Sequence, residues 1–271
     1  MMGRKPEKEL LIIIPAYNEE ENIGKLLDQL EKPPISEIAD VLVINDASVD
    51  RTNAVVKRRH DPLVTHVFNL GYGSALQLGF KFAVRRNYRY VIQMDADGQH
   101  DPCNVLPLFE ALKTKDPDGR CPDIVVGSRY LPGSGNYQTG GIKMMAIRLF
   151  RSLIKGISKQ QIMDPTSGLQ GLSRRAFLYY SQYGHFDDQY PDANMLLKMI
   201  LLKFRVKEIP AVMHLRMVGT SMHSGLKPIM YMMRMTLEIF SVWIRCEVLK
   251  IDKGIGENET LWAEEDSYSH R

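Results

Sequence analysis

The sequence predicts an α/β protein, with a mostly parallel central sheet flanked by helices and a C-terminal amphipathic helical extension. Three observations lead there. Short β-branched runs alternate with helical patterns through the first half of the chain, the signature of βαβ units. Polar and glycine residues gather immediately after those runs, where parallel sheets bind ligands beyond the carboxyl ends of their strands. The chain has 271 residues, 44% hydrophobic and 25% charged, enough for one large buried core.

In chain order, strands are expected at residues 10–15, 41–46, 63–68, 90–95 and 123–127. Helices with apolar residues at three- and four-residue spacing are expected between them at 20–31, 50–60, 74–87 and 102–114. The strand ends then read AYNEE, NDASVD, NLGYG and DADGQ. The second half is less regular. It holds a glycine-rich loop at 131–141, a helix at 143–158, the segment DPTSGLQG, a helix at 192–203, a strand pair at 206–215 and the loop RMVGTSMHSG. Residues 1–226 are assigned to one catalytic domain, 227–251 to a Met-rich amphipathic helix, and 252–271 to a loose polar tail.

Composition narrows the function classes. With 35 basic and 32 acidic side chains the formal charge is +3, too near neutral for a protein that coats nucleic acid. The longest run without Asp, Glu, Lys or Arg, residues 62–80, contains His66, Asn69, Gln77 and three glycines and cannot form a spanning helix. The start MMGRKPEKELL is unlike a secretory signal, so a cytoplasmic location is expected. Three scattered cysteines, Cys103, Cys121 and Cys246, suggest neither a disulfide framework nor a thiolate metal site.

The strongest chemical signal is DADGQ. Asp95 and Asp97, one residue apart at a strand end, can turn together toward a hard cation such as Mg²⁺ or Mn²⁺, with the Gln99 side-chain carbonyl as a further oxygen. The competing reading is a polar turn that caps the next helix at Asp101 and Pro102. Asp46 is placed to accept from a ribose hydroxyl or base N–H, or else to close an Asx turn. NLGYGSAL imitates a dinucleotide fingerprint, but Leu76 stands where its third glycine belongs, which argues against an NAD enzyme.

Taken in order, PAYNEE, NDAS, NLGYGSA, DADGQ, GSRY and TSGLQG resemble the family 2 inverting glycosyltransferases of GT-A (Rossmann-like) fold. Within these, the resemblance is to the group similar to dolichol-phosphate mannose synthases and bacterial polyprenyl-phosphate glycosyltransferases. It spans roughly residues 10–225. It implies that Pro15, Ala16, Tyr17, Glu19, Asp46, Asn69, Gly71, Asp95 and Ala96 bind the nucleotide. It implies that Asp95, Asp97 and Gln99 hold Mg²⁺ or Mn²⁺, that Arg129 faces phosphate, and that Asp164, Thr166, Ser167 and Gly168 shape the acceptor pocket. Two departures stand out: NDAS replaces the DDGS of many members, putting Ala47 where they have glycine, and C-terminal membrane helices are missing.

The expected reaction is transfer of a hexose or N-acetylhexosamine from a nucleotide diphosphate sugar, UDP-linked by preference, to polyprenyl phosphate for cell-envelope glycan synthesis. A phosphate acceptor is largely dianionic at neutral pH and needs cations rather than a base. Arg129, Arg174 and Arg216 are the candidate clamps, with Asp97 as the further catalytic residue. A hydroxyl acceptor would instead need Asp192, in YPDANML, as base. Arg148, Arg151, Lys155 and Lys159 fall on one face of the 143–158 helix, opposite Ile147, Phe150, Leu153, Ile154 and Ile157, which suits a helix on an anionic membrane surface. In the segment 227–250, Lys227, Arg234, Glu238, Ser241 and Arg245 form one narrow polar stripe, leaving a wide apolar surface for the core, the membrane interface, a second subunit or a small membrane protein.

Overall fold

In the computed structural model of the chain, residues 8–135, 137, 139–214 and 227–251 are described. Its centre is a seven-stranded sheet in the order β3-β2-β1-β4-β6-β5-β7. The strands are β1 (Leu10–Ala16), β2 (Ala39–Asn45), β3 (Leu63–Thr65), β4 (Tyr90–Gln93), β5 (Ile124–Ser128), β6 (Gln170–Ser173) and β7 (Val206–Pro210). Only β6 runs against its neighbours, pairing antiparallel with both β4 and β5. β1, LLIIIPA, is buried at every position, as a parallel strand covered on both faces must be.

The helices are α1 (Ile23–Leu30), α2 (Ile35–Ile38), α3 (Thr52–Arg58), α4 (Tyr72–Arg85), α5 (Val105–Lys113), α6 (Gly141–Ser158), α7 (Arg174–Ser181), α8 (Ala193–Leu201) and α9 (Lys227–Trp243). A 3₁₀ turn, Pro102–Asn104, leads into α5, capped by Asp101 through the Cys103 amide at 2.8 Å. A π-helical turn, Ile244–Val248, extends α9. The apolar sides of α1, α3 and α5 meet one face of the sheet; α4, α6, α7, α8 and α9 meet the other around Phe80, Phe150, Phe177 and Tyr180.

The βαβ half agrees with expectation to within a few residues at each end. The second half departs from it. β6 and α7 lie where no element was expected, and of the strand pair at 206–215 only β7 forms, with a single bridge from Met213 to His100 beyond it. β6 reads QGLS, too short to show an alternating pattern. The extension is also no appendage. α9 sinks Met235, Ile239 and, beyond its end, Cys246 into the main core against α6 and α8. The other half of its apolar surface, with Met233, Leu237 and Phe240, stays exposed.

The basic stripe on α6 is interrupted. Arg148, Lys155 and Lys159 face outward, but Arg151 is half-buried, donating from Nε to the Met163 carbonyl at 2.6 Å and lying 4.7 Å over the Tyr130 ring. No helix among the described residues is long and apolar enough to cross a membrane.

At the start of α4 the backbone leaves no room for a side chain. A Cβ on Gly73 would lie 1.9 Å from the Asp187 carbonyl, and the Ser74 amide donates to the Asp188 carbonyl at 3.0 Å. Gly73→Ala is therefore expected to lower stability by at least about 2 kcal/mol. Gly156→Ala, in a helix interior with open space around it, should raise it by about 0.5–1 kcal/mol. Urea unfolding of the two variants measures both.

Candidate active site

The carboxyl ends of β1, β2 and β3 bring together the residues expected to bind nucleotide. Pro15 and Ala16 close β1, paired with Ile44 and Asn45 of β2, and the Asp46 amide donates to the Ala16 carbonyl at 2.9 Å. The two loops interlock: the Asn18 amide donates to Ser48 Oγ, and the Val49 amide to Asn18 Oδ1, both at 3.0 Å. Ala47 holds φ at +57°, a left-handed turn that favours glycine and costs alanine roughly 1 kcal/mol. Tyr17 is exposed, whereas Glu19 is buried and accepts from Asn22 Nδ2 at 2.8 Å.

Asp46 closes no Asx turn. Its Oδ1 accepts from the Leu70 amide at 2.9 Å and meets His66 Nδ1 at 2.7 Å, and its Oδ2 accepts from the Gly71 amide at 2.8 Å. Asn69 Nδ2 donates to the Asp46 carbonyl at 3.3 Å. Asp46 thus buckles the β3–α4 loop onto the end of β2, and Gly71, with φ at +96°, supplies the turn that aims its amide there. His66 is a partner that the sequence does not advertise, because its role exists only through this contact.

Past β4, Asp95 is held from two sides. Tyr72 Oη donates to its Oδ1 at 2.8 Å, and its amide donates to Nδ1 of buried His100 at 3.0 Å. Asp97 Oδ1 accepts from the Gln99 amide at 3.0 Å across the turn, with Ala96 buried between the two acids. Gln99 Nε2 points to Tyr137 Oη at 3.3 Å and the His214 carbonyl at 3.5 Å, which leaves its carbonyl oxygen as the end available to a cation. Among the described residues no three His, Cys, Asp or Glu side chains gather as a ligand set. The protein therefore offers two carboxylates and an amide oxygen. That donor set fits Mg²⁺ or Mn²⁺ when diphosphate oxygens complete the shell, which is how Mg²⁺ is commonly held.

Beyond Asp95 lie two connected kinds of space. A cavity of about 530 Å³ is bounded by Tyr72, Asp95, Thr166 and Gly168 on the sheet side, by Ile142, Lys143, Ala146, Ile147 and Phe150 of α6, and by Asp192, Tyr231 and Met232. A smaller one of about 120 Å³ is lined by Asp95, Gln99, Arg129, Tyr137, Lys143, Ser167 and Gly168. Arg129 is largely spent inside the protein. Its Nε and one terminal nitrogen grip the fully buried Asp164 at 2.7 and 2.6 Å, and that nitrogen also meets Thr166 Oγ1 at 2.9 Å. Burial opposes its charge, but the Asp164 carboxylate outweighs this and raises its pKa further. Asp164 is thus a partner of Arg129 rather than a wall of the pocket. Ser167 is likewise turned inward, donating to the Gly127 carbonyl at 2.6 Å.

Of the other two expected clamps, Arg174 is not in place. Arg174 follows Ser173, which pairs with Tyr90 at the start of β4, so antiparallel β6 has carried it to the far end of the sheet from Asp95. There it donates to the Tyr88 carbonyl at 3.0 Å. Arg216 lies outside the described residues. The cation that the structure adds is Lys143, exposed at the start of α6 and lining both cavities.

Asp192 enters the larger cavity just before α8, and Tyr231 of α9 donates to its Oδ2 at 2.6 Å. Burial, partly offset by that hydrogen bond and reinforced by the Asp95 carboxylate, pushes its pKa up to about 6. The loop carrying it is tied to α9 again: Arg234 bonds Gln189 and lies 5.0 Å over the Tyr190 ring.

Interlocked loops on three parallel strand ends, a paired-aspartate turn on a fourth and a cavity beyond it are arranged as in a glycosyltransferase of GT-A fold. The chain belongs to glycosyl transferase family 2, whose family model matches residues 11–180. An undecaprenyl-phosphate mannosyltransferase of Micrococcus luteus is 32% identical over 230 residues, covering 80% of this chain and 88% of that one. A polyprenol monophosphomannose synthase of Mycolicibacterium smegmatis is 28% identical over 82% of this chain and 83% of its own length. In fold, the chain matches the glucosyl-3-phosphoglycerate synthase of Mycobacterium tuberculosis, solved with Mn²⁺, UDP-glucose and phosphoglyceric acid. The TM-score is 0.64 at 16% identity, over 88% of this chain and 80% of that one.

Two stability measurements test this geometry. Asp164→Asn leaves Arg129 charged and buried with a broken partner, and is expected to cost about 3–5 kcal/mol in urea unfolding. Asp192 has a folded pKa of about 6, against about 4 when unfolded. Its contribution is therefore intact below pH 4 and is lost as pH rises through 6. In chelator-treated protein, urea unfolding should find Asp192→Asn gaining stability over wild type between pH 4 and pH 7, by up to about 3 kcal/mol; a gap that does not change with pH contradicts the burial argument.

Proposed function

We propose that the protein transfers a hexose or N-acetylhexosamine from a nucleotide diphosphate sugar, UDP-linked by preference, to a polyprenyl phosphate. The observation that carries the reading is the two-part acceptor space. Ile142, Ile147, Phe150 and Met232 make one end apolar, while Lys143 and Arg129 beside Asp95 make the other cationic. That is the shape of a phosphate on a hydrocarbon chain. The relatives named above as acting on undecaprenyl phosphate and polyprenol support it.

In this reading the loops at Pro15–Ala16–Tyr17, Asp46, Asn69 and Gly71 hold the nucleotide and bring its diphosphate over Asp95 and Asp97. Mg²⁺ or Mn²⁺ held by Asp95, Asp97 and Gln99 would offset the charge that develops on the leaving diphosphate. Lys143 and the outward edge of Arg129 orient the acceptor phosphate. One of its oxygens forms the new bond to the anomeric carbon from the side opposite the breaking bond, so the configuration inverts and the nucleoside diphosphate departs. No base is needed, because the phosphate already carries its negative charge.

The exposed faces of α6 and α9, with Ile142, Met145 and Leu149 on one and Met233, Leu237 and Phe240 on the other, would lie on an anionic membrane from the cytoplasmic side, Arg148 and Lys155 beside them. A second reading, transfer to a hydroxyl, is favoured by one observation: Asp192 faces the same cavity with a pKa near that of a general base, about 6.

Incubation with radiolabelled UDP-sugars, Mn²⁺ and polyprenyl phosphate in detergent tests both. The label is expected in the lipid extract, lost in Asp97→Ala, and largely retained in Asp192→Asn. Label found only in water-soluble product, and abolished by Asp192→Asn, overturns the lipid-phosphate reading.

A further inference from the structure

Tyr72, the fourth residue of NLGYG, stands between the paired-aspartate turn and the larger cavity. Its hydroxyl donates to Asp95 Oδ1 at 2.8 Å while its ring helps wall the cavity. Two close contacts keep it there. Gly73, the next residue, is closed against the Asp187 and Asp188 carbonyls, so the first turn of α4 has no room to swing. On the opposite side, a Cβ on Gly168 would come within 3.1 Å of both Tyr72 Oη and Asp95 Oδ2, so a glycine lets the segment leading into β6 close over the pair.

A hydrogen bond to one oxygen fixes the rotation of a carboxylate. With Oδ1 committed to Tyr72, Asp95 keeps Oδ2, which no described donor approaches closer than His100 Nε2 at 3.5 Å, as the oxygen left for a cation. We infer that Tyr72 is a positioning residue for the divalent cation, orienting Asp95 so that Oδ2, beside Asp97, is presented to the metal accompanying the donor diphosphate. This rests on the metal assignment of the proposed function. Partners of metal-ligating carboxylates commonly govern affinity in this way.

The test is Mn²⁺ binding rather than turnover. Free Mn²⁺ is followed by electron paramagnetic resonance as it is titrated into full-length protein with saturating UDP. UDP binding in chelator and the melting temperature are measured alongside. Tyr72→Phe is expected to weaken Mn²⁺ binding roughly tenfold, with metal-free UDP affinity and melting temperature unchanged. Adding Tyr72→Phe to Asp95→Asn should weaken it no further than Asp95→Asn alone. If Asp95→Asn loses Mn²⁺ affinity and Tyr72→Phe does not, the role of Tyr72 is overturned and the metal site stands. If Asp95→Asn binds Mn²⁺ as wild type does, the metal assignment falls and the inference with it. A parallel loss of metal-free UDP affinity in Tyr72→Phe marks a general packing role and also overturns it.

Discussion

The buried ion pair of Arg129 and Asp164 is the constraint on which the acceptor half of the site depends. Asp164 has no exposed surface, and it accepts from the Arg129 amide, Nε and one terminal nitrogen. Its own amide and that of Met163 are taken up by the two oxygens of Glu208 on β7, at 2.7 and 2.6 Å. Two buried charges are tolerable only with this degree of hydrogen bonding. The result is a rigid segment from 163 to 168 that sets Thr166 against the cavity and Gly168 against Asp95. An arginine used as a strut has little left for a ligand, which throws the recognition of an anion onto Lys143.

The donor and acceptor halves touch through backbone. Asp46 pins the loop that begins α4, and the first turn of α4 is closed by the carbonyls of Asp187 and Asp188. The loop that supplies those carbonyls continues to Asp192, which is gripped by Tyr231 of α9. The C-terminal helix is therefore part of the cavity: without it the cavity loses a wall and Asp192 loses its hydrogen bond. The same helix leaves Met233, Leu237 and Phe240 exposed, the surface along which the proposed lipid-linked acceptor would reach the cavity.

Local pattern carried the first half of the fold. The βαβ periodicity and the polar strand ends put Asp46, Asn69, Asp95 and Asp97 at one edge of the sheet, and the ordered motifs supplied the family. What escaped depends on long-range pairing. β6 is four residues without an alternating pattern, and its reversed direction is what removes Arg174 from the site although it stands only six residues after Gly168 in sequence. Tyr72, His66 and His100 act through partners 23, 20 and 5 positions away, so composition and spacing say nothing of them. Lys143 lies outside the basic stripe of its helix and carries no motif, and only the cavities single it out.

In the proposed reaction the acceptor phosphate is seated by Lys143 beside Arg129, its apolar chain running along α6 and α9. Steady-state kinetics of Lys143→Ala with polyprenyl phosphate as the varied substrate test it most directly. The acceptor KM is expected to rise by roughly tenfold or more, as for a lost charge-assisted contact to phosphate, with the KM for the sugar nucleotide unchanged. An unchanged acceptor KM, or a loss confined to the donor, would contradict it.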